Sequence, residues 1–287
     1  MVTNILTVDL EEWFVVENLR EVIDRGEWEE LPARVEQNTR EILSLFSDYH
    51  VRATFFVLGW VAQKYPQIIK EISIAGHEIG CHSYYHRRVD TLDRDEFRRD
   101  TEMAVNAIFK ATGITPVGYR APSWSINSNI RWAFEVLAEM GFEYDSSLFP
   151  ITHDLYGEPD APTGTFRMQL DNGLALYEIP ASTVKIMGRN FPIGGGGYLR
   201  HGPLWFTTWM INRLNAANRP AVLYIHPWEV DRNHPRLDGL NALQKFRQYG
   251  SIATLMIKLE KLFRRFDFYS ARDYLAAVRR KKIGFER

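Results

Sequence analysis

The chain predicts an α/β fold, a parallel sheet covered by helices and closed toward a barrel, and three observations predict it. Short apolar runs alternate with amphipathic helical stretches along most of the 287 residues. The residues able to do chemistry fall at the ends of several different runs, and none sits in a glycine-rich phosphate loop. That placement favours a barrel over an open dinucleotide-binding sheet. Finally, the length suits one α/β barrel, and a hydrophobic fraction of 45% can fill its core.

The elements follow in order. Ile5 to Asp9 is a short apolar run ending in acids, and Arg34 to Tyr49 is an amphipathic helix with Val35, Ile42, Leu45 and Phe46 on one side. Ala53 to Leu58 reads as a buried strand stopped at Gly59. Pro66 to Ala75 is a helix with Pro in its first turn and Gly76 as its stop. Glu78 to Cys81 is a strand. Asp93 to Thr112 is a long helix ended by Gly113, with Asp93 as N-cap and Glu96 three positions on. Val117 to Tyr119 is strand-like, Asn127 to Met140 a helix ended by Gly141, and Tyr144 to Phe149 another strand.

The alternation breaks from about Pro150 to Arg200, where a long connection holds short strands such as Leu176 to Ile179 and the run Gly194 to Gly197. That run lacks the Lys-Ser/Thr ending of a phosphate loop, so it reads as a tight backbone path near the site mouth or a flexible loop. A helix (Leu204 to Ala216), a strong strand (Ala221 to Ile225), a helical stretch (Leu240 to Phe266) and a last strand and helix (Phe268 to Val278) complete the chain. The basic run Arg279 to Lys282 reads as a solvated helix terminus.

Net charge is −1, which gives the whole chain no bias toward nucleic acid. The single cysteine, Cys81, excludes an intrachain disulfide and a multi-cysteine zinc site. No run approaches the roughly 20 apolar residues of a membrane span, and Met1 to Asp9 lacks a basic-then-apolar leader. We therefore expect a cytoplasmic protein, sites at the inner membrane face included.

His82 and His86 stand four residues apart directly after a strand. On a helical turn both imidazoles would face one metal ion. By itself such a pair is more often a surface or capping pair. In Asp9-Leu10-Glu11-Glu12 an extended chain points Asp9 and Glu11 the same way. One carboxylate suits a third metal ligand and the other a base, although acids at a strand end are commonly caps or solvated charges. Arg120, at another strand end, can hold an acid ionised. Asp145 opens a further strand, and His226 ends the most hydrophobic strand of the C-terminal half.

Each signal is weak alone, but the order is not: acid pair, His-x-x-x-His, Arg120-x-x-x-Trp124, Asp145 and Leu223-x-x-His226. Here the chain resembles the NodB-homology polysaccharide deacetylases, carbohydrate esterase family four. Within them it looks most like the branch associated with exopolysaccharide and exosortase (PEP-CTERM) loci. That branch opens with Asp-x-Glu-Asp/Glu-Trp/Tyr-Phe and carries His-Pro-Trp-Glu and Arg-His-Tyr in a C-terminal extension. This sequence reads VDLEEWF, IHPWEVD and Arg247-Gln248-Tyr249.

The resemblance implies a single domain over residues 1–287, a distorted (β/α) barrel of about seven strands with its extension at about 195–280. It implies one divalent metal, most often zinc, and removal of N-acetyl groups from an amino-sugar polymer. Carried over by residue, Asp9 matches the base, His82 and His86 the metal ligands, and Arg120 the partner of the base. His226 matches the general acid, and Asp145 the acid that orients it. Trp124 and Trp228 would line the sugar groove with Tyr85, and the backbone N–H of Tyr84 or Tyr85 would serve the oxyanion. Two positions depart from the family. Leu10 stands where the common motif has its metal-binding Asp, so Glu11, Glu12 or a two-His site remain open. Gln248 stands where the branch has His. Three further readings compete: a small-amide or ureide hydrolase of the same fold, an inactive polysaccharide-binding barrel, and a membrane-surface role for Leu255 to Phe266. For that last segment we expect a core-facing helix with a basic solvated side.

Overall fold

The computed structural model describes residues 2–153 and 156–281. Strand β1 (Asn4–Leu10) is buried along its whole length, as its near-continuous apolar run requires of a central parallel strand. After it come α1 (Val35–Asp48), β2 (Thr54–Val57), α2 (Gly59–Lys64), α3 (Pro66–Ile74), β3 (Glu78–Cys81), α4 (Arg94–Thr112), β4 (Gly118–Tyr119), α5 (Trp132–Glu139) and β5 (Tyr144–Asp145). The long connection holds β6 (Phe166–Gln169), β7 (Ala175–Glu178) and the hairpin β8 (Thr183–Ile186) with β9 (Arg189–Pro192). The C-terminal part adds α6 (Gly196–His201), α7 (Leu204–Ala216), β10 (Val222–Ile225), α8 (Ala242–Tyr249), α9 (Ile252–Phe263), β11 (Phe268–Tyr269) and α10 (Ala271–Lys281).

The main sheet runs β10-β1-β2-β3-β4-β5-β7-β6, with β11 paired to the start of β1. From β10 to β7 every pairing is parallel, and only β6 at the edge is antiparallel. The seven strands from β10 to β7 thus form the expected curled parallel sheet, as a half-barrel, and β6 and β11 bring it to nine. Parallel register brings the carboxyl ends of β1, β3, β4, β5 and β10 to one rim, where α/β sites are built. The apolar faces of α1, α3, α4 and α9 close over the sheet with Ile42, Phe46, Ile68, Phe97, Leu255 and Leu259 buried.

Several local expectations need correction. The segment 59–64 forms a helix that the sequence reading missed, because Pro66 draws the eye to a later start. Its first turn lies hard against α4, and a Cβ on Gly59 would fall 2.7 Å from the Ala104 backbone. The stretch 240–266 is two helices. Ser251 adopts φ +57°, and the Gly250 carbonyl is taken by Arg200. The glycine run is a tight path rather than a flexible loop: a Cβ on Gly194 would meet the Val222 carbonyl at 2.3 Å, and one on Gly195 the Tyr224 ring at 2.0 Å. Helix α9 faces the core through Leu255, Leu259 and Leu262, as expected. Of the basic run, Lys282 lies outside the described residues. No helix among the described residues is long and apolar enough to cross a membrane.

Candidate active site

Three of the expected ligands meet. One donor atom each from Glu11, His82 and His86 lies within 4.8 Å of the others. The two histidines do not sit on a helical turn. They lie in a loop in which Ser83 and His86 both have positive φ. That loop is held from both sides. The Gly59 and Trp60 amides at the start of α2 donate to the Ser83 and Tyr84 carbonyls. From α4, Asp100 accepts from the Tyr84 amide at 2.7 Å. That amide is thereby spoken for, which removes Tyr84 from the oxyanion role expected of it or of Tyr85.

The donor set fits a divalent cation. His82 Nδ1 is 2.8 Å from the Arg120 carbonyl oxygen, which can only accept. The proton therefore sits on Nδ1 and leaves the Nε2 lone pair for a metal. Burial holds the His82 ring neutral, down to about 4. Glu11 Oε2 lies 2.8 Å from His86 Nε2, yet no hydrogen bond satisfies this buried oxygen. An unsatisfied buried carboxylate oxygen is costly, and a shared cation is the usual remedy. Burial opposes ionisation of Glu11, but His86, His226 and His82 outweigh it and hold it at about 2. Its other oxygen accepts from Trp228 Nε1 at 3.3 Å.

Glu12 turns the opposite way. Its carboxylate accepts the amides of Arg34 (2.8 Å) and Val35 (3.0 Å) and so caps the start of α1. Burial pushes it up to about 7. A folded-state pKa above the unfolded value means the folded state binds more protons between about 4.5 and 7. Stability from this group is then present at low pH and falls as pH rises through that window. Glu12→Gln is expected to keep any bound metal and to flatten the decline of melting temperature between pH 5 and 7, readable by thermal denaturation across pH.

Asp9 lies beside the three donors. Arg120 Nη1 donates to its Oδ1 at 2.7 Å and to Thr7 Oγ1 at 2.7 Å. The guanidinium is fully buried between Phe56 and Trp124, with Ser146 accepting from its other nitrogens. Opposite, His226 Nε2 is 3.9 Å from Asp9 Oδ2 and 3.8 Å from Glu11 Oε1. Burial disfavours a charged ring there, but Glu229, Glu11 and Asp9 raise His226 to about 9, so it carries a proton at neutral pH.

The group that orients His226 is Glu229, not Asp145. Glu229 Oε2 accepts both His226 Nδ1–H (2.9 Å) and the His226 amide (3.0 Å). Behind it, buried Arg200 donates to Glu229 Oε1 at 2.8 Å and spends its remaining donors on the carbonyls of Arg247, Gln248 and Gly250. Asp145 instead accepts from the Ser147 amide and hydroxyl and lies against Glu178. Burial raises both acids, and the charge of Asp145 raises Glu178 further. The effect of the pair is to fix the 146–148 turn that presents Ser146 to Arg120. Sequence reasoning missed Glu229 and Arg200. The His226-Pro-Trp-Glu229 spacing, with Glu at the third helical position, was the available signal for the first.

Trp124 and Trp228 line a cavity of about 1190 Å³ over the site. Tyr85 does not line it. Its ring packs on Tyr84 under Arg25 and borders a smaller hollow of about 570 Å³. Gln248, in doubt from the sequence, is buried and structural. Its amide donates to His234 Nε2 (3.0 Å), and its oxygen accepts from Asn18 (3.3 Å). It thereby ties α8 to the segment after β1.

A half-barrel carrying a three-donor metal cradle, with an Arg-held carboxylate on one side and a protonated histidine on the other, is the class that fold and site define. Residues 23–144 match the sequence profile of the polysaccharide deacetylase family, and residues 146–276 match a domain of unknown function. The polysaccharide deacetylase match thus covers somewhat less than half of the chain, from the segment after β1 to the start of β5. The chain is similar to a peptidoglycan-N-acetylglucosamine deacetylase of Bacillus cereus, 36% identical over 98 residues, which are 34% of this chain and 36% of that protein. It is also similar to a peptidoglycan deacetylase of Helicobacter pylori, 37% identical over 107 residues, 37% of this chain and 36% of the other. The match thus spans about a third of either relative. In fold it is similar to a Mycobacterium smegmatis protein provisionally named a polysaccharide deacetylase. The TM-score is 0.63 at 22% identity, covering 99% of this chain and 93% of the other.

Proposed function

We propose that this protein hydrolyses N-acetyl groups on an amino-sugar polymer or its precursor during exopolysaccharide assembly, with zinc or a similar divalent ion held by Glu11, His82 and His86. The observation that carries the reading is the pairing of Asp9 and His226 beside that cradle, one poised to accept a proton and the other loaded with one. A pure binding module needs neither. The cavity of about 1190 Å³ also exceeds what a small cyclic amide requires and suits several sugar rings. The N-acetylated polymers named for the bacterial relatives point to the same substrate class. The exosortase-locus branch belongs to this proposal, supported by the VDLEEWF and IHPWEVD segments, and a cytoplasmic address near the inner membrane face is proposed with it.

A divalent ion in the cradle would supply a water of lowered pKa and polarise the acetyl carbonyl. Asp9, fixed by Arg120, takes the proton of the attacking water. His226, fixed by Glu229, gives its Nε2 proton to the departing amine, which leaves poorly without it. Trp228 shields Glu11 and stacks on the His226 ring, centroids 5.4 Å apart, so the proton donor cannot swing away.

The direct test is acetate release from chitooligosaccharides by metal-stripped protein, before and after adding back zinc. We expect turnover only after reloading; no release in any metal would overturn the reading. His226→Ala is expected to slow amide hydrolysis by about 10²–10⁴-fold. An aryl acetate, whose phenolate needs no proton to leave, should lose far less. Equal losses on both substrates would remove the general-acid role.

A further inference from the structure

The mouth of the catalytic cavity is bordered by α6, α7 and α8, through Tyr198, Pro203, Phe206, Leu243 and Arg247. Just outside that lining, the same helices turn large apolar side chains to solvent. Trp205 is 70% exposed and Phe246 56%, with Trp209 beside Trp205 on α7. Phe206 stacks on Trp209, and His201 stacks on Phe246, so the aromatic rim is continuous with the lining of the mouth. The β8–β9 hairpin, packed on α7, carries Met187 at its tip, 99% exposed, between exposed Lys185 and Arg189. Isolated exposed apolar residues need no explanation, but a group of this kind at a cavity mouth marks an interaction site.

The charge carried by α6, α7, α8 and the β8–β9 hairpin is one-signed. From Ile179 to Trp228 the chain has no Asp or Glu, and again none from Gly239 to Leu259. Both stretches carry Lys and Arg, among them exposed Lys185, Arg189, Arg213, Lys245 and Arg247. The whole chain is at −1, so this is a local segregation and not a basic protein. Apart from Asp9, Glu11 and Glu229 within it, the acids that reach the cavity are Glu17 and Glu21, in the segment that packs on α8, and Glu17 is paired with Arg20. Arg213 lays its guanidinium 5.6 Å over Trp209, an apolar stem and ring with a cation at the edge. Exposed Trp and Met with flanking Lys and Arg, free of acids, are what partition into the headgroup region of an anionic bilayer.

We propose that α6, α7, α8 and the β8–β9 tip form a docking face for an anionic phospholipid surface, which seats the cavity mouth against the membrane. A polymer attached to a lipid would then be drawn directly from the bilayer into the cavity. The docking face stands on exposure and charge alone; only that last consequence rests on the deacetylase reading. The test therefore reads binding, not turnover.

Co-flotation of the full chain with vesicles of phosphatidylcholine, with and without phosphatidylglycerol, is the experiment. We expect capture by the anionic vesicles only, weakened as salt rises. Trp205→Ser/Trp209→Ser should bind about tenfold or more weakly, and Lys185→Glu/Arg213→Glu should lose the preference for phosphatidylglycerol. None of these four side chains lines the cavity, so acetate release from short soluble oligosaccharides should be unchanged. The charge pair covers the case in which the tryptophan variant folds poorly. Absence of capture, or equal capture of all variants, overturns the proposal. So does a tryptophan variant that keeps vesicle binding but raises KM for oligosaccharides, which would make the rim a sugar platform. A dimer that forms through Trp205 without vesicle binding would overturn it as well.

Discussion

Glu11→Ala is expected to lose both the bound metal and turnover, leaving the fold intact. Glu11 contributes the only carboxylate among the three converging donors of the described residues. Neither neighbour can substitute: Leu10 is apolar, and Glu12 is committed to the amides of Arg34 and Val35. Two imidazoles alone leave the site short of a ligand and short of charge, so affinity should fall well beyond the 10–100-fold typical of a lost supporting contact. His82→Ala should behave alike. Elemental analysis of the purified proteins after dialysis against zinc checks both. Retention of a full equivalent by Glu11→Ala would show that the ion binds elsewhere and would remove the three-donor assignment. Stability should fall modestly, because Trp228 Nε1 loses its acceptor and the neighbouring histidines lose a carboxylate.

Asp9→Asn is expected to abolish turnover, about 10²–10⁴-fold or more, with metal content unchanged. The amide keeps the size of the carboxylate and can still accept from Arg120, so geometry survives while basicity is lost. This separates the base from the ligands: one variant loses chemistry and keeps the ion, the other loses both. A near-native rate for Asp9→Asn would transfer the base role away from it. Removing Arg120 instead would not be a clean test. Its guanidinium is fully buried and serves Asp9, Thr7 and Ser146 together. Truncation would strand a buried carboxylate at a cost of about 3–5 kcal/mol.

The parts of the site legible in the sequence are those set by local geometry. Alternation along β1 placed Asp9 and Glu11 together because a strand repeats every two residues. Strand endings placed His82, Arg120 and His226 on one rim because parallel register aligns those ends. Choices decided by contacts far along the chain were not legible. Whether Glu11 or Glu12 faces the donors depends on amides at the start of α1. Whether Asp145 or Glu229 holds His226 depends on the path of the turn after β10 and on Arg200, which the glycine run delivers. The His82–His86 pair was found for a partly wrong reason, since the spacing serves a left-handed loop as well as a helix. The curled sheet itself was readable because buried parallel strands leave near-continuous apolar runs. The break inside 240–266 was not, because one strained Ser251 and an arginine from another helix decide it.

The position of β1 sets a timetable for the nascent chain. This strand is flanked by β10 on one side and by β11 near its start. At ordinary rates of translation, on the order of ten to forty seconds separate its emergence from that of β10. Throughout that interval an apolar ribbon with an open ladder edge stands at the ribosome exit, and β2 can cover only one side of it. His226, Glu229 and Arg200 arrive with the late segments, so the newborn half-barrel holds its cradle and its base before it holds its acid. Chaperone demand should therefore peak before synthesis reaches residue 222, and catalytic competence should appear last, in a single step, when the two late strands zip onto the first.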